Sequence, residues 1–493
     1  MTARRGHLGI DLGTSAVKVL VHDAAGAVLA KTQRGYPTRA VRPGWAEQAP
    51  SDWWRETAAA VAEAVRAAGA EIVSVGLSGQ LNGFVLLDGA GAPLGDAIIW
   101  LDLRAADEAG RLAAGAQPPF EAATGNELSA IAVLPKLAWL QARDPALLAR
   151  AHRIALAKDY ILLRLTGVLA TDPSDAASTA MTPRGGRAWA PELCALAPVE
   201  PALLPPILPS AAVAGQVSPA AAAETGLAAG TPVATGAGDV AALAVGCGIV
   251  RPGRTAITLG TAGHVVAEVA GEPARRRGLW RIPHAVPGRE LWLGLIMSGG
   301  LSLRWLRDVL GAGAPPPDYA VLDRLAGATP AGSEGVTFLP FLEGAATPHN
   351  WPDAHGMLFG LASSHGSGHV VRAVLEGVAF NARECIEALA EAGVESGEIR
   401  LAEGGARSPV WCQVLADALD RPVRLIGDGD TSAAGAAILG RAALAGGDVA
   451  AIAEQVVQVD RVFEPQAAAV AALDEAYARY RAMCALLASR RTG

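Results

Sequence analysis

The stretch Thr235–Gly263, TGAGDVAALAVGCGIVRPGRTAITLGTAG, decides how the rest of the chain is read. Pro232 to Ala234 is short and apolar, as a buried strand would be. Asp239 follows in a Gly-rich turn, Gly236-Ala-Gly-Asp239, ahead of a small-residue helix expected over Ala241 to Gly248. Next comes Ala256-Ile-Thr-Leu-Gly-Thr-Ala-Gly-His-Val-Val, which reads as strand, tight turn and strand. The start of the chain carries the same unit, Leu8-Gly-Ile-Asp-Leu-Gly-Thr-Ser-Ala-Val-Lys-Val. Leu12-Gly13-Thr14 and Leu259-Gly260-Thr261 lie about half a chain length apart. A Gly-Thr hairpin repeated at that distance implies two related lobes, each offering a backbone turn to something held between them.

The totals bound the answer. A chain of 493 residues exceeds what a single hydrophobic core usually organises, so at least two domains are expected. With 51% hydrophobic and 18% charged residues the composition is that of a soluble globular protein. The net charge of −7 argues against a nucleic-acid partner. A phosphate ligand would therefore be held by local backbone N–H groups and a metal. Five scattered cysteines (194, 247, 385, 412 and 484) form no C-x-x-C pair, which fits a reducing compartment. Arg4-Arg5 precedes an apolar stretch broken by Asp11 and Lys18, a poor signal peptide, and no run suits a membrane span. The expected location is the cytoplasm, with no membrane partner; a homodimer is left open.

In the first half, Leu8 to Asp11 and Val17 to Asp23 are expected strands joined by Gly13-Thr14-Ser15. A turn of that composition offers backbone N–H groups and hydroxyls suited to phosphate oxygens. Asp11, at the end of its strand, could hold a metal directly or through water. Ser51 reads as the cap of a helix to about Ala68, and Ile72 to Leu77 as a strand ending in Ser78-Gly-Gln-Leu-Asn-Gly83. Polar groups in such a Gly-flanked loop can be ligand contacts or a plain turn. Asp102 and Arg104 share a face in extended chain, where they could pair with each other or grip a hydroxylated ligand. Leu134 to His152 is patterned as one helix, Lys158-Asp-Tyr opens another, and Thr171 to Asp175 is a loop. The Pro-rich connector 198–217, with Pro198 among its prolines, leads to a helix capped by Ser218 with Pro219 in its first position.

In the second half, Leu291 to Met297 is a strand, and Ser298-Gly299-Gly300 introduces a helix over Leu301 to Leu310 whose N-terminus suits phosphate or ribose. Gly335 to Leu342 reads as a strand, followed by an irregular loop holding His349, a histidine expected to be structural. A long helix spans about His369 to Ala392. Strand Ile399 to Ala402, then Glu403-Gly-Gly-Ala-Arg-Ser408 and a helix from Pro409 to Leu419, make a surface flat enough for a purine ring. Val423 to Ile426, a helix over Thr431 to Leu444 and a final packing helix from about Pro465 complete a second α/β lobe.

Taken together these stretches resemble the FGGY family of carbohydrate kinases, and within it the xylulokinase branch. The likeness rests on Gly9-Ile-Asp-Leu-Gly-Thr-Ser, Gly79-Gln-Leu-Asn-Gly83, Lys158-Asp-Tyr, Gly238-Asp239, Leu259-Gly-Thr, Thr347-Pro-His-Asn, Arg372-Ala-Val-Leu-Glu-Gly and Gly404-Gly-Ala-Arg-Ser. It implies an α/β protein of two duplicated RNase H-like, actin-like ATPase lobes, 1–248 and 249–493, with the active site in an interlobe cleft. It also implies ATP-dependent phosphorylation of a sugar, with D-xylulose as the default and Mg²⁺ as the metal. Asp239 resembles the catalytic base, and Gln80, Leu81, Asn82, Asp102 and Arg104 join it at the sugar. The ATP set is Gly13, Thr14, Ser15, Lys18, Gly260, Thr261, Gly300, Arg304, Gly404, Gly405, Ala406 and Ser408. Asp11 and Asp239 are the metal candidates.

Departures from the xylulokinase pattern fall mostly on the sugar side. Leu81-Asn82 stands where Met-His is usual, Val240 where an Asn follows the catalytic Asp, Leu101 where the pattern has Asn, and Ala345-Ala346 where it has Glu-Arg. These changes point to a related ketose or polyol as the alternative substrate. A non-catalytic sugar and ATP sensor is the rival class, and the retained Asp11 and Asp239 speak against it.

Overall fold

The computed structural model describes residues 4–491 apart from 198, 272–273, 312–314 and 428–429, so Pro198 of the connector lies outside the described residues. The chain forms two compact units. The first is Met1–Val250 with Arg281–Leu291 and Asp430–Val457, and the second is Arg251–Trp280, Trp292–Gly429 and Gln458–Gly493. Packing thus returns to the first unit two segments that follow residue 248 in the chain.

In the first unit the strand order is Val28–Gly35, Ala16–His22, Arg5–Leu12, Glu71–Gly79, Pro232–Ala234 and Val213–Gln216. The first three make an antiparallel meander, and Arg5–Leu12 runs parallel to Glu71–Gly79. The two faces of the sheet follow from side-chain alternation. Leu8, Ile10 and Leu12 share a fully buried core with Trp53, Ala60 and Ala64 of the Pro50–Ala68 helix. Gly9 and Gly76, register partners on the opposite face, leave room for the Thr431–Ala445 helix to lie on bare backbone. A methyl group on Gly76 would fall 1.8 Å from Ala436 O.

The second unit repeats the plan. Its order runs Trp280–Pro283, Glu290–Ile296, Gly263–Val269, Arg254–Leu259, Glu398–Ala402, Val423–Ile426 and Val459–Phe463. Arg254–Leu259 pairs antiparallel with Gly263–Val269 and parallel with Glu398–Ala402, as its counterpart does in the first unit. Trp292, Trp411, Phe338, Phe341 and Tyr480 fill the core. The final helix, Ala467–Arg491, contributes Leu473, Tyr477, Tyr480 and Cys484 to it, the packing role its sequence suggests. His349 is structural as well. Its Nε2 lies 3.1 Å from Glu384 Oε2, and its ring stacks on Trp351 at 4.2 Å.

Several local expectations change. Ser51 is exposed inside its helix; Ala49 is the N-cap and Pro50 the first turn, where a missing N–H costs nothing. The helical pattern over Leu134 to His152 breaks into Val133–Arg143 and Pro145–Ala149, because Pro145 cannot continue the hydrogen-bond ladder and Asp144 caps the second piece. Thr171 to Asp175 is not all loop, since Asp172 caps a short helix, Pro173–Ser178. The strand within Gly335 to Leu342 is only Thr337–Leu339, and the helix after the Gly-rich turn begins at Asp239 itself. Ser218 caps Pro219–Thr225 as expected, its Oγ accepting from Ala221 N at 3.2 Å.

The glycine contacts give a direct test. Gly76→Ala should lower stability by about 1–3 kcal/mol through overpacking, measured by thermal denaturation. Gly95→Ala, an exposed site with nothing within 4 Å of an added methyl, should leave the melting temperature unchanged.

Candidate active site

In the first unit three strands converge on Ser78. Asp11 is its register partner on one side and Ala237 on the other. Ser78 Oγ donates to Asp11 Oδ1 at 2.8 Å. Neighbouring strands lie about 4.8 Å apart, so the strand ends carrying Asp11 and Asp239 flank one residue. Burial raises the Asp11 carboxyl above its ordinary range; Lys18 and the Ser78 hydrogen bond oppose the shift, and Asp430 adds to it. Lys18, opposite Asp11 in the hairpin, lies 3.4 Å from Asp430 Oδ1. A nearly buried carboxylate oxygen with one hydroxyl partner is the hard donor that Mg²⁺ accepts, usually one or two per ion beside substrate phosphates. The residues present fit such an ion.

Asp239 opens the Asp239–Gly246 helix, and its Oδ1 accepts from Val240 N at 2.8 Å. The turn before it is fixed by backbone: Gly236 has φ 83°, and Gly238 N donates to Ser174 Oγ at 3.0 Å. Leu81 presses on this turn so closely that a methyl on Gly238 would fall 2.2 Å from its Cδ2. Leu81 is flanked by Gln80 and Asn82, both buried. Gln80 Nε2 donates to Gln48 Oε1 at 2.8 Å, which leaves Gln80 Oε1 turned elsewhere. Gln80 Oε1 and Asn82 Oδ1 are both buried acceptors with no hydrogen-bond partner among the described residues. Asn82 also holds φ at 62°, in the left-handed region. Two unmade hydrogen bonds cost about 1–3 kcal/mol each, so the loop is under-satisfied as it stands.

The other first-unit candidates divide. In the first hairpin, Thr14 Oγ1 accepts from Trp100 Nε1 at 2.8 Å, Thr14 O accepts from Gln48 Nε2 at 2.6 Å, and Ser15 O accepts from Tyr36 N at 3.2 Å. Gly13 O accepts from the Tyr36 hydroxyl. The turn is held at three carbonyls. Asp102 is fully buried and engaged on both oxygens by Arg104, with Ala46 N donating to its Oδ2 at 2.6 Å. Arg104 also bonds Glu47 and lies over the Trp45 ring at 3.8 Å. The geometry gives this pair to each other.

In the second unit Gly260, Thr261, Gly300 and Gly404 to Ala406 gather around one turn, with Ser408 and Arg304 placed apart from it. Gly300 N donates to Gly260 O at 2.7 Å and Leu301 N to Thr261 O at 3.1 Å, so the Gly300–Leu310 helix starts directly on the second hairpin. Thr258 pairs with Ala402, which sets Gly404, Gly405 and Ala406 beside the same turn. A methyl on Gly405 would lie 2.5 Å from Leu259 Cβ, and one on Gly260 2.6 Å from Glu403 Oε2. Glu403 has φ 72°, where glycine is the easy choice. Ser408 caps the Pro409–Leu419 helix and donates to Asp323 at 2.7 Å, while Arg304 is exposed one turn into its helix.

Comparison with known proteins decides the family. Residues 7–246 match the N-terminal domain model of the FGGY family of carbohydrate kinases and residues 255–444 the C-terminal one. The chain belongs to the FGGY family of carbohydrate kinases. It is 32% identical to a xylulose kinase of Bacillus subtilis over 93% of each chain, and 35% identical to a glycerol kinase of Gloeobacter violaceus over 93% of this chain and 92% of that one. A solved xyloylose kinase from Brucella ovis superposes with a TM-score of 0.89 at 36% identity, covering 98% of this chain and 99% of the other. As an FGGY protein the chain is a carbohydrate kinase, a phosphotransferase that uses ATP and an alcohol acceptor, built from two duplicated lobes. Among the described residues no helix is long and apolar enough to cross a membrane.

The residues that hold these loops of the FGGY fold from behind carry no signal in the sequence pattern. Gln48 joins the first hairpin, Trp53 and Gln80 through four hydrogen bonds of its amide, counting the one to Thr38. Lys136, fully buried, donates to Asn82 O, Ile99 O and Ile131 O at 3.2, 2.9 and 2.8 Å. Nothing in an apolar helix pattern separates such a lysine from a solvated one.

Burial pushes Lys136 down to about 7, with Asp102 opposing and Arg104 assisting. An unfolded lysine titrates near about 10.4. Between those values the unfolded chain binds the proton that the folded one lacks, so Lys136 adds a stability that rises with pH. The melting temperature of wild type minus that of Lys136→Met should therefore increase from pH 7 to pH 10; a flat difference would remove Lys136 as the cause.

Proposed function

We propose that this kinase transfers the γ-phosphoryl group of ATP to a hydroxyl of a ketose, with D-xylulose to D-xylulose 5-phosphate as the default reaction. The observation that carries the sugar site is the pair of unpartnered acceptors, Gln80 Oε1 and Asn82 Oδ1, on the loop that packs against the Asp239 turn. Hydroxyl groups are the donors such acceptors lack, and a polyol brings several at once.

Asp239 takes the proton of the acceptor hydroxyl as its oxygen attacks the γ-phosphorus. The bond to the β–γ bridging oxygen breaks and ADP leaves. A base in this role needs its oxygen about 2.6–3.2 Å from the proton's heavy atom. The turns at Thr14–Ser15 and Gly260–Thr261 offer N–H groups to phosphate oxygens, while the helix start at Gly300, whose first N–H groups already donate to backbone carbonyls, contributes the positive end of its dipole. Gly404 to Ala406 offer low relief to the adenine, and Arg304 is an exposed cation one turn into the Gly300–Leu310 helix. Asp11, with Asp239 as the second carboxylate, would hold Mg²⁺, which when bound neutralises charge on the transferring phosphate. Five free, buried cysteines suit a reducing cytoplasm.

A second reading has its own observation. Val240 is buried and apolar beside Asp239, and Leu81 covers Gly238, so this side of the pocket presents fewer polar groups to a substrate. Hydrogen-bonding groups can set discrimination of about 10⁴–10⁵, so a ketose or polyol with fewer hydroxyls here is the alternative.

Two measurements check these readings. Asp239→Asn should lower sugar-dependent ADP release by about 10²–10⁴-fold; an unchanged rate removes Asp239 as the base. Across pentuloses, hexuloses and alditols including glycerol, D-xylulose should give the highest kcat/KM if the default holds. A polyol ahead of it by tenfold or more would assign the pocket to the second reading.

A further inference from the structure

Behind the turn that carries Asp239 lies a polar core that the transfer reaction leaves without a task. Lys158, Asp159, Asp172, Ser174 and Asp175 are each 0% exposed. Lys158 Nζ lies 2.6 Å from Asp159 Oδ1, 3.2 Å from Asp172 Oδ1 and 3.4 Å from Asp175 Oδ2. Burial opposes the ammonium charge, but the three surrounding carboxylates outweigh it and raise Lys158 above the usual lysine range.

The bonds around Asp172 have a direction. Its Oδ2 receives Ser174 N at 2.9 Å, Ser174 Oγ at 2.5 Å and Ser210 Oγ at 3.2 Å. Three donors on one oxygen make it an acceptor. The single proton of the Ser174 hydroxyl is committed to it, so the lone pairs of that hydroxyl face the other way. There they accept Gly238 N–H at 3.0 Å. Ser210, the third donor, accepts Gly236 N–H on its own carbonyl at 3.0 Å. One carboxylate therefore organises both anchors of the Gly236–Gly238 turn, and the residue after that turn is Asp239. The backbone there has little latitude, since a methyl on Gly236 would sit 2.2 Å from Leu77 O.

We propose that Asp172 is a positioning residue for Asp239, acting through the Ser174 hydroxyl and Ser210 to fix the backbone from which the Asp239 carboxylate is aimed. The inference rests on the reading of Asp239 as the base. Asp172→Asn replaces an acceptor with a group that can donate toward Ser174, turning its hydroxyl and taking the acceptor from Gly238 N–H. Ser174→Ala removes that acceptor outright. Both changes leave Asp239 and the candidate sugar and nucleotide contacts in place.

The test measures kcat and both KM values for the full chain carrying Ser174→Ala, Ser174→Thr or Asp172→Asn, each alone and with Asp239→Asn. A base misplaced by about 1 Å can cost 10²-fold, so Ser174→Ala should lower kcat about 10- to 100-fold with KM for sugar and ATP within about twofold. Ser174→Thr, which keeps the hydroxyl, should restore most of the rate. In the Asp239→Asn background Ser174→Ala should lower the residual rate no further. Equal losses in both backgrounds, or a lower melting temperature with wild-type kcat, would overturn the positioning role alone. Wild-type kcat in Asp239→Asn by itself would overturn the base assignment and the positioning role with it. If Asp172→Asn fails to fold, the Ser174 pair decides the matter.

Discussion

The Thr431–Ala445 helix lies so close on the first sheet that a methyl at Gly9 would fall 1.9 Å from Ala433 O. The same helix meets the Asp239–Gly246 helix just as tightly: a methyl on Gly435 would fall 1.8 Å from Ala242 O, and one on Gly246 1.9 Å from Thr431 O. Contacts of this kind need a glycine on one side and exposed backbone on the other, and they leave no slack for sliding. One rigid rod thereby sets the strand that ends in Asp11, the strand that holds Ser78 and the helix that starts with Asp239. Its first turn adds polar ties, since Ser432 Oγ donates to Asp239 O at 3.2 Å and Asp430 pairs with Lys18. The placement of the two candidate carboxylates is thus a consequence of small residues far along the chain.

Around that frame, buried polar groups do the fine positioning. Gln48, Lys136 and Asp172 each tie together segments distant in sequence; Gln48 and Lys136 bond candidate site loops directly, and Asp172 reaches the Asp239 turn through Ser174. Buried polar networks of this kind rigidify when their members are bonded. Not every oxygen is hydrogen-bonded: one each on Asp159 and Asp172 and both on Asp175 lack a hydrogen-bond donor among the described residues, although Lys158 lies close to all three carboxylates. Gln80 and Asn82 keep an acceptor unmet where a hydroxylated ligand is expected, whereas Asp102 and Arg104 satisfy each other.

Much of this was legible in the sequence because its signals are local. Gly-Thr turns between apolar runs, Ser218 before Pro219, and Ser408 ahead of Pro409 need only neighbouring residues to be read, and their elements stand where the pattern put them. The duplicated hairpins implied two lobes for the same reason. What escaped notice depends on tertiary contact. The small-residue helix at Thr431 looks like any Ala-rich helix until Gly9 and Gly76 are laid beneath it. Lys158 sits in a motif that marked the family and Asp172 in a stretch read as a loop, and their meeting across a buried core cannot be inferred from spacing. Ser51 failed as a cap because Pro50 already occupied the first turn, and the helix after Leu134 failed to continue because Pro145 interrupts it.

A crystal structure of the protein with D-xylulose and a non-hydrolysable ATP analogue would measure the distance from the Asp239 carboxylate to the acceptor hydroxyl. An oxygen of Asp239 should lie about 2.6–3.2 Å from that hydroxyl, with Gln80 Oε1 and Asn82 Oδ1 accepting from others on the same sugar. A sugar bound away from the loop at 80–82, or one whose phosphate-accepting hydroxyl is beyond hydrogen-bond reach of Asp239 directly or through one water, would contradict it.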